Sequence, residues 1–171
     1  DMAAQMALAG LDCGISGIVR VLRGQYAMAT RLLDNGALGI VVPHVDTADE
    51  AREIVSALKY PPMGHRSIGP TPQLAGHSLG KAETGRVMNA STLVAVMLES
   101  PQAIENAYDI AAVPGIDVLM IGTSDLTAEM GIPGEFGDAR VVAAYERLIA
   151  ACAKHGKWPG MGGAYTEELL K

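Results

Sequence analysis

The sequence predicts an α/β protein, an eight-stranded β/α barrel of the TIM type that is incomplete at both ends. Three observations predict it. Apolar runs of strand length alternate strictly with helical patterns, which argues a parallel sheet. Two consecutive runs, Leu93-Val-Ala-Val-Met-Leu-Glu99 and Asp117-Val-Leu-Met-Ile-Gly-Thr-Ser-Asp125, each close on a carboxylate, and the two acids stand 26 residues apart. That offset is the length of one strand–helix unit, so both acids fall at the C-terminal edge of the sheet, where β/α barrels carry their chemistry. Finally, no Gly-rich phosphate loop follows the first strand. An open doubly wound sheet, the alternative architecture, usually has one there.

The elements follow in order. Met2 to Leu11 reads as an amphipathic helix. Ser16-Gly-Ile-Val-Arg20-Val is a short strand ending near a basic residue. Gln25 to Leu33 is helical, and Asp34-Asn-Gly36 stops it. Leu38-Gly-Ile-Val-Val-Pro43 is a continuous apolar strand, as expected when both faces are buried. Thr47-Ala-Asp-Glu50 is a capping box opening a helix that runs to about Leu58. From Tyr60 to about Ala90 regular patterning fails, and this stretch, which includes Arg66 and His77, reads as a long loop of the kind that is often functional or mobile. Strand 93–99 follows. Ser100 and Pro101 open a single helix expected to end near Val113. Strand 117–121 comes next, then a helix over Ala139–His155 stopped by Gly156, a strand over Trp158–Gly162, and the start of a last helix at Thr166.

Composition narrows the function. The chain has 171 residues, enough for one domain with a real core, and is expected to form a single partial barrel domain across 1–171. Formal charge is −6 with no basic cluster, which argues against a nucleic-acid or anionic-membrane surface. No apolar run reaches membrane-spanning length and no signal peptide is visible, so a cytoplasmic location is expected. Cys13 and Cys152 have no ligand-like spacing and read as reduced structural residues. The chain starts inside one helix and stops just inside another, which reads as part of a longer protein.

Each candidate site residue has a plain alternative. Glu99 and Asp125 could cap the helices that follow them, or could together hold Mg²⁺ or Mn²⁺. Arg20 could form a buried ion pair, or could stabilise a developing oxyanion. Asp34 reads locally as a turn residue. His44 lies at a strand end and could line the site, but a structural role is the expectation, since His44, His65, His77 and His155 have no metal-ligand spacing. The amides of Gly122-Thr-Ser-Asp125 could hold a carboxylate at a helix start.

These residues resemble the HpcH/HpaI aldolases, metal-dependent class II pyruvate aldolases. The resemblance is carried by Val19-Arg20, Arg31-Leu-Leu-Asp34-Asn-Gly-Ala, Val41-Val-Pro43, Asp49-Glu-Ala, Tyr60-Pro-Pro-Met-Gly-His-Arg66-Ser-Ile-Gly, Glu99-Ser and Ile121-Gly-Thr-Ser-Asp125-Leu, in that order. It implies a barrel of the phosphoenolpyruvate/pyruvate type, with Glu99 and Asp125 as ligands of a divalent metal. Mg²⁺ or Mn²⁺ is expected, with Co²⁺ or Zn²⁺ as further candidates. It implies that Arg20 steadies the enolate oxygen and that Asp34 raises the basicity of the catalytic histidine, which displaces the turn-only reading. It also implies that the amides of Ser124 and Asp125 hold the pyruvate carboxylate.

The chain departs from the family at three points. Met97 stands two residues before Glu99, where the family often has a substrate-contacting Gln, and Met cannot donate a hydrogen bond. Gly122-Thr123-Ser124-Asp125 replaces the usual Gly-Pro-Ala-Asp. The family's catalytic histidine follows a strand that would lie upstream of Asp1.

The expected reaction is cleavage of a 4-hydroxy-2-oxo acid to pyruvate, or a related 2-oxo acid, and an aldehyde. The lysines fall outside the expected strands, in keeping with a metal route rather than a Schiff base. Two other readings remain: a lyase of citryl or malyl thioesters, and a barrel fragment with only binding or assembly function. The resemblance further implies a homo-oligomer, a trimer or hexamer. Two unpaired sheet edges would keep the 171-residue chain from being a well-behaved monomer.

Overall fold

The structure, a computed structural model, describes residues 2–69 and 79–163. His77 and the helix expected from Thr166 lie outside the described residues. Five strands, β1 (Ile18–Arg20), β2 (Gly39–Val42), β3 (Leu93–Leu98), β4 (Val118–Gly122) and β5 (Trp158–Gly162), form one sheet in the order β1-β2-β3-β4-β5. Every pairing is parallel. Among the described residues β1 and β5 do not pair with each other, so the sheet is an open arc of a β/α barrel.

One side of the arc is sealed by helices. These are α1 (Met2–Asp12), α2 (Tyr26–Asp34), α3 (Ala48–Leu58), α4 (Lys81–Ser91), α5 (Pro101–Glu105), α6 (Ala107–Ala111), α7 (Thr123–Glu129) and α8 (Ala139–His155). Strand alternation decides what the helices meet. Ile40, Val42, Val94, Val96, Leu98, Leu119 and Ile121 belong to the core they cover. From α3 that core takes Ala51, Ile54, Val55 and Leu58, an i, i+3, i+4, i+7 stripe. From α8 it takes Ala144, Leu148, Ala151 and Cys152. Each fully buried Ile or Leu contributes on the order of 1.5–3 kcal/mol by leaving water. The intervening strand positions, Arg20, Ala95, Met97 and Met120, face the other way, toward the inside of the arc.

Local signals placed most boundaries. The capping box at Thr47 is present, with Glu50 N–H donating to Thr47 Oγ1 at 3.2 Å and Glu50 Oε2 accepting from Thr47 N–H at 3.1 Å. Gly156 closes α8 in the left-handed conformation that glycine adopts without strain.

Three expectations change. The helix after Pro101 is two short helices broken at Asn106, whose side-chain N–H donates to the Asp46 carbonyl at 2.8 Å. The patternless stretch contains α4, which buries only Gly85 and Met88. What holds α4 is tertiary. Asn89 exchanges two hydrogen bonds with the Tyr60 backbone, at 2.7 and 2.9 Å, and its carbonyl accepts from buried Lys59. Cys13 lies just past α1 and is exposed, whereas Cys152 is buried. Among the described residues no helix is long and apolar enough to cross a membrane.

Candidate metal centre

The parallel register sets the site. Met97 pairs with Met120 and Leu98 with Ile121, so Glu99, just past β3, stands level with Gly122 at the end of β4. Asp125 follows in the first turn of α7. His44 follows β2, whose Val42 pairs with Val96. The three strand ends therefore converge. One ligand atom each from His44, Glu99 and Asp125 lies within 4.8 Å of the others.

Glu99 is the buried member, 1% exposed. It is not a helix cap. Ser100 caps α5, its Oγ accepting from Ala103 N–H at 3.0 Å. Glu99 Oε2 instead accepts from the His44 N–H at 2.7 Å, and His44 Nδ1 lies 3.2 Å from the same oxygen. Burial pushes the Glu99 carboxyl above its ordinary value. The His44 N–H and imidazole pull it back, and the neighbouring Asp125 adds to the rise. Asp125 is exposed and reaches the cluster from the solvent side.

The backbone makes room for this acid at two points. A Cβ on Gly122 would lie 2.3 Å from Glu99 Oε1, so only glycine leaves the carboxylate its place. His44 has φ +54, a left-handed conformation uncommon outside glycine and tolerated better by His than by branched residues. The loop holding it is pinned on both sides. Val45 N–H donates to the Met97 carbonyl at 3.0 Å, and Ser100 Oγ donates to Asp46 Oδ1.

The donor set suits a divalent cation. Two carboxylates and an imidazole offer oxygen and nitrogen ligands, and among the described residues no lysine or arginine pairs with Glu99 or Asp125. A buried carboxylate with no cationic partner is costly, and a divalent ion would neutralise both acids.

The other expected residues are distributed around the fold. Met97, 8% exposed, lies beneath Glu99 on the inner face. A Cβ on Gly162 would meet the Met97 and Met120 methyls, so this part of the inner face is apolar. Ser124 is exposed in the first turn of α7, where the amides have no side-chain cap. Arg20 ends β1 on the same inner face, but it is exposed and, among the described residues, makes no ion pair. Of the two readings for Arg20, the buried ion pair is not found among the described residues, because nothing described covers that face at β1.

Asp34 ends α2, at the opposite edge of the sheet from the carboxylates, and accepts from Arg66 Nη2 at 2.7 Å. Arg66 is itself buried and stacks 4.6 Å above the Tyr60 ring. The structure does not bring Asp34 to the His44–Glu99–Asp125 cluster. Buried Lys59 also lies at that opposite edge, its Nζ 3.6 Å from Asp117 Oδ2 ahead of β4. A cleft of about 680 Å³ is there too, bordered by Pro61, Met63, Arg86 and Pro114.

His44 is the residue that sequence reasoning set aside. Its only signal was position, immediately after a strand adjacent to the one ending in Glu99.

Fold and cluster together define a β/α-barrel protein with a candidate divalent-metal centre at the C-terminal edge of its sheet. The chain belongs to the HpcH/HpaI aldolase/citrate lyase family, which it matches over residues 2–158. It is 41% identical over 172 residues to a 4-hydroxy-4-methyl-2-oxoglutarate aldolase of Hapsidospora irregularis, covering 99% of this chain and 64% of that protein. It is 38% identical over 141 residues to a 2-keto-3-deoxy-L-rhamnonate aldolase of Salmonella schwarzengrund, covering 79% of this chain and 49% of that one. A solved HpcH/HpaI aldolase from Desulfitobacterium hafniense superposes with a TM-score of 0.89 at 29% identity, covering 98% of this chain and 64% of that chain. The chain thus spans less than two thirds of the length of each.

Proposed function

We propose that this chain carries the metal-binding part of a divalent-metal-dependent aldolase that cleaves a 4-hydroxy-2-oxo acid to pyruvate, or a related 2-oxo acid, and an aldehyde. The observation that carries the reading is the convergence of His44, Glu99 and Asp125 within 4.8 Å at the C-terminal edge of a parallel sheet. The names of the aldolase relatives support the substrate class, since both are aldolases of 2-oxo (2-keto) acids.

Glu99 and Asp125 would hold the ion, Mg²⁺ or Mn²⁺, or Co²⁺ or Zn²⁺. When bound, such an ion supplies Lewis acidity toward the carboxylate and C2 carbonyl of a 2-oxo acid. The residues of the chain do the rest. First-turn amides at Ser124 and Asp125 orient the substrate carboxylate. Arg20, without an ion pair among the described residues and on the inner face, is available to the enolate oxygen as charge develops there. Met97 gives the substrate an apolar floor in place of a hydrogen-bond donor. Asp34, which the resemblance assigns to a histidine base, lies at the opposite edge of the sheet bonded to Arg66, and this reading gives it no part in chemistry at the cluster. A homo-oligomer, trimer or hexamer, belongs to the same reading, and light scattering tests it.

The experiment is turnover on a panel of 4-hydroxy-2-oxo acids, with pyruvate release followed before and after EDTA and after Mg²⁺ or Mn²⁺ is returned. Metal-dependent pyruvate release supports the reading. Cleavage confined to citryl or malyl thioesters assayed alongside, read as release of the acetyl thioester with oxaloacetate or glyoxylate, replaces it with the thioester lyase. Cleavage that survives EDTA in full rejects it.

A further inference from the structure

The two acidic ligands leave a mixed donor set unexplained, because the third member of the cluster is an imidazole. We propose that His44 is a protein ligand of the bound ion, making the centre a His–Glu–Asp site that prefers imidazole-accepting first-row ions such as Co²⁺ or Zn²⁺ over Mg²⁺. This rests on the reading of Glu99 and Asp125 as a metal pair and goes further by assigning a ligand and a selectivity.

The geometry points there on three independent counts. First, His44 Nδ1 stands 3.2 Å from Glu99 Oε2. Neighbouring ligands of an octahedral ion with bonds of about 2.1 Å are separated by about 3 Å, so the spacing matches one edge of a coordination sphere. Second, the ring is placed by backbone. The His44 N–H is fixed to Glu99 Oε2 at 2.7 Å, the next N–H is fixed to the Met97 carbonyl at 3.0 Å, and His44 holds φ +54. A non-glycine residue kept in that conformation carries a backbone cost that a surface loop would shed unless the site needed the side chain there. Third, the ring is half exposed, at 50%, beside a carboxylate that is 1% exposed. A half-exposed imidazole is open to an ion arriving from solvent.

Selectivity follows from ligand type. Carboxylates and water suffice for Mg²⁺, whereas imidazole favours later first-row ions. With two carboxylates and one neutral imidazole, a divalent ion leaves the site without net charge. The ligand count of three leaves positions for a bidentate substrate.

The test uses the purified chain with Mn²⁺, Co²⁺ and Mg²⁺ as probes. Pulsed EPR of the Mn²⁺ form should show ¹⁴N coupling from a directly bound nitrogen, and His44→Asn should abolish it. Asn tolerates the left-handed backbone and keeps the N–H to Glu99. By titration calorimetry His44→Asn should lower the Co²⁺ over Mg²⁺ preference by about tenfold, with most of the loss on Co²⁺. His44→Gly, which also tolerates φ +54, serves as the second variant and should behave alike. If Mn²⁺ binds with dependence on Glu99 and Asp125 but shows no ¹⁴N coupling, His44 is not a ligand and the two-carboxylate reading stands without it. If Mn²⁺ binding is indifferent to Glu99 and Asp125, the underlying reading falls and this one falls with it. An unchanged Co²⁺ over Mg²⁺ ratio in both variants also overturns the proposal.

Discussion

The His44 backbone N–H donates to Oε2 of Glu99 at 2.7 Å across 55 residues of sequence, tying the end of β2 to the end of β3. That bond orients the buried acid of the cluster without spending its second oxygen. Oε1 points toward Gly122, where no side chain intrudes.

Metal affinity should depend on both acids. Glu99→Gln and Asp125→Asn are each expected to weaken Mg²⁺ or Mn²⁺ binding by at least tenfold, about 1.4 kcal/mol. Titration calorimetry on the two variants checks this, and unchanged affinity in both would remove them as ligands.

Gly122→Ala isolates packing from backbone strain. Gly122 has φ −87, which alanine adopts freely, but the added Cβ would lie 2.3 Å from Glu99 Oε1. We expect a stability loss of about 1–3 kcal/mol from overpacking, together with weakened metal binding as Glu99 is displaced. Chemical denaturation and metal titration on one preparation measure both. A variant with wild-type affinity would show that Glu99 has another rotamer competent to bind.

Arg20 should matter to turnover and not to stability. It is exposed and unpaired among the described residues, so Arg20→Lys is expected to change unfolding free energy by less than about 0.5 kcal/mol. In a catalytically complete form of the protein the same substitution should cut kcat by roughly 10²-fold, since lysine lacks the planar fork that a developing oxyanion meets. A raised KM with normal kcat would assign Arg20 to ground-state binding instead.

Lys59 should give the protein an alkaline stability trend. Burial pushes the Lys59 ammonium below its ordinary value, and Asp117 offsets this only in part. The unfolded chain therefore binds the proton more tightly than the folded one. Stability rises with pH through the window between the lowered folded value and the ordinary lysine value. Measured against Lys59→Met, the wild type should gain stability as pH is raised through that window. A flat or falling difference would mean that the carbonyls of Asn89 and Thr92 together with Asp117 fully compensate the buried charge.

Local pattern was enough for much of this. The strands at 93–99 and 117–121 announced themselves as apolar runs, and their acids fell at the C-terminal edge because parallel strands of equal register bring equivalent ends together. Thr47 and Glu50 marked the start of α3 through a contact three residues long. Such signals survive in a bare sequence because the interactions behind them span a few residues, or repeat with the period of the element.

What the tertiary structure alone decided are contacts between distant residues. α4 carries too few apolar positions to be read, and it exists because Asn89 and Lys59 bind it to the chain around Tyr60. The break at Asn106 follows from its bond to Asp46, 60 residues away. Asp34 could be read as a helix end, but only the folded chain shows Arg66 bonded to it. His44 had no ligand spacing along the sequence, since its neighbours at the centre lie 55 and 81 positions on. The sequence by itself determined which edge of the sheet carries the two acids. The packing of β2 against β3 determined that an imidazole joins them, because strand register brings three separate strand ends to one place and no local period records that meeting.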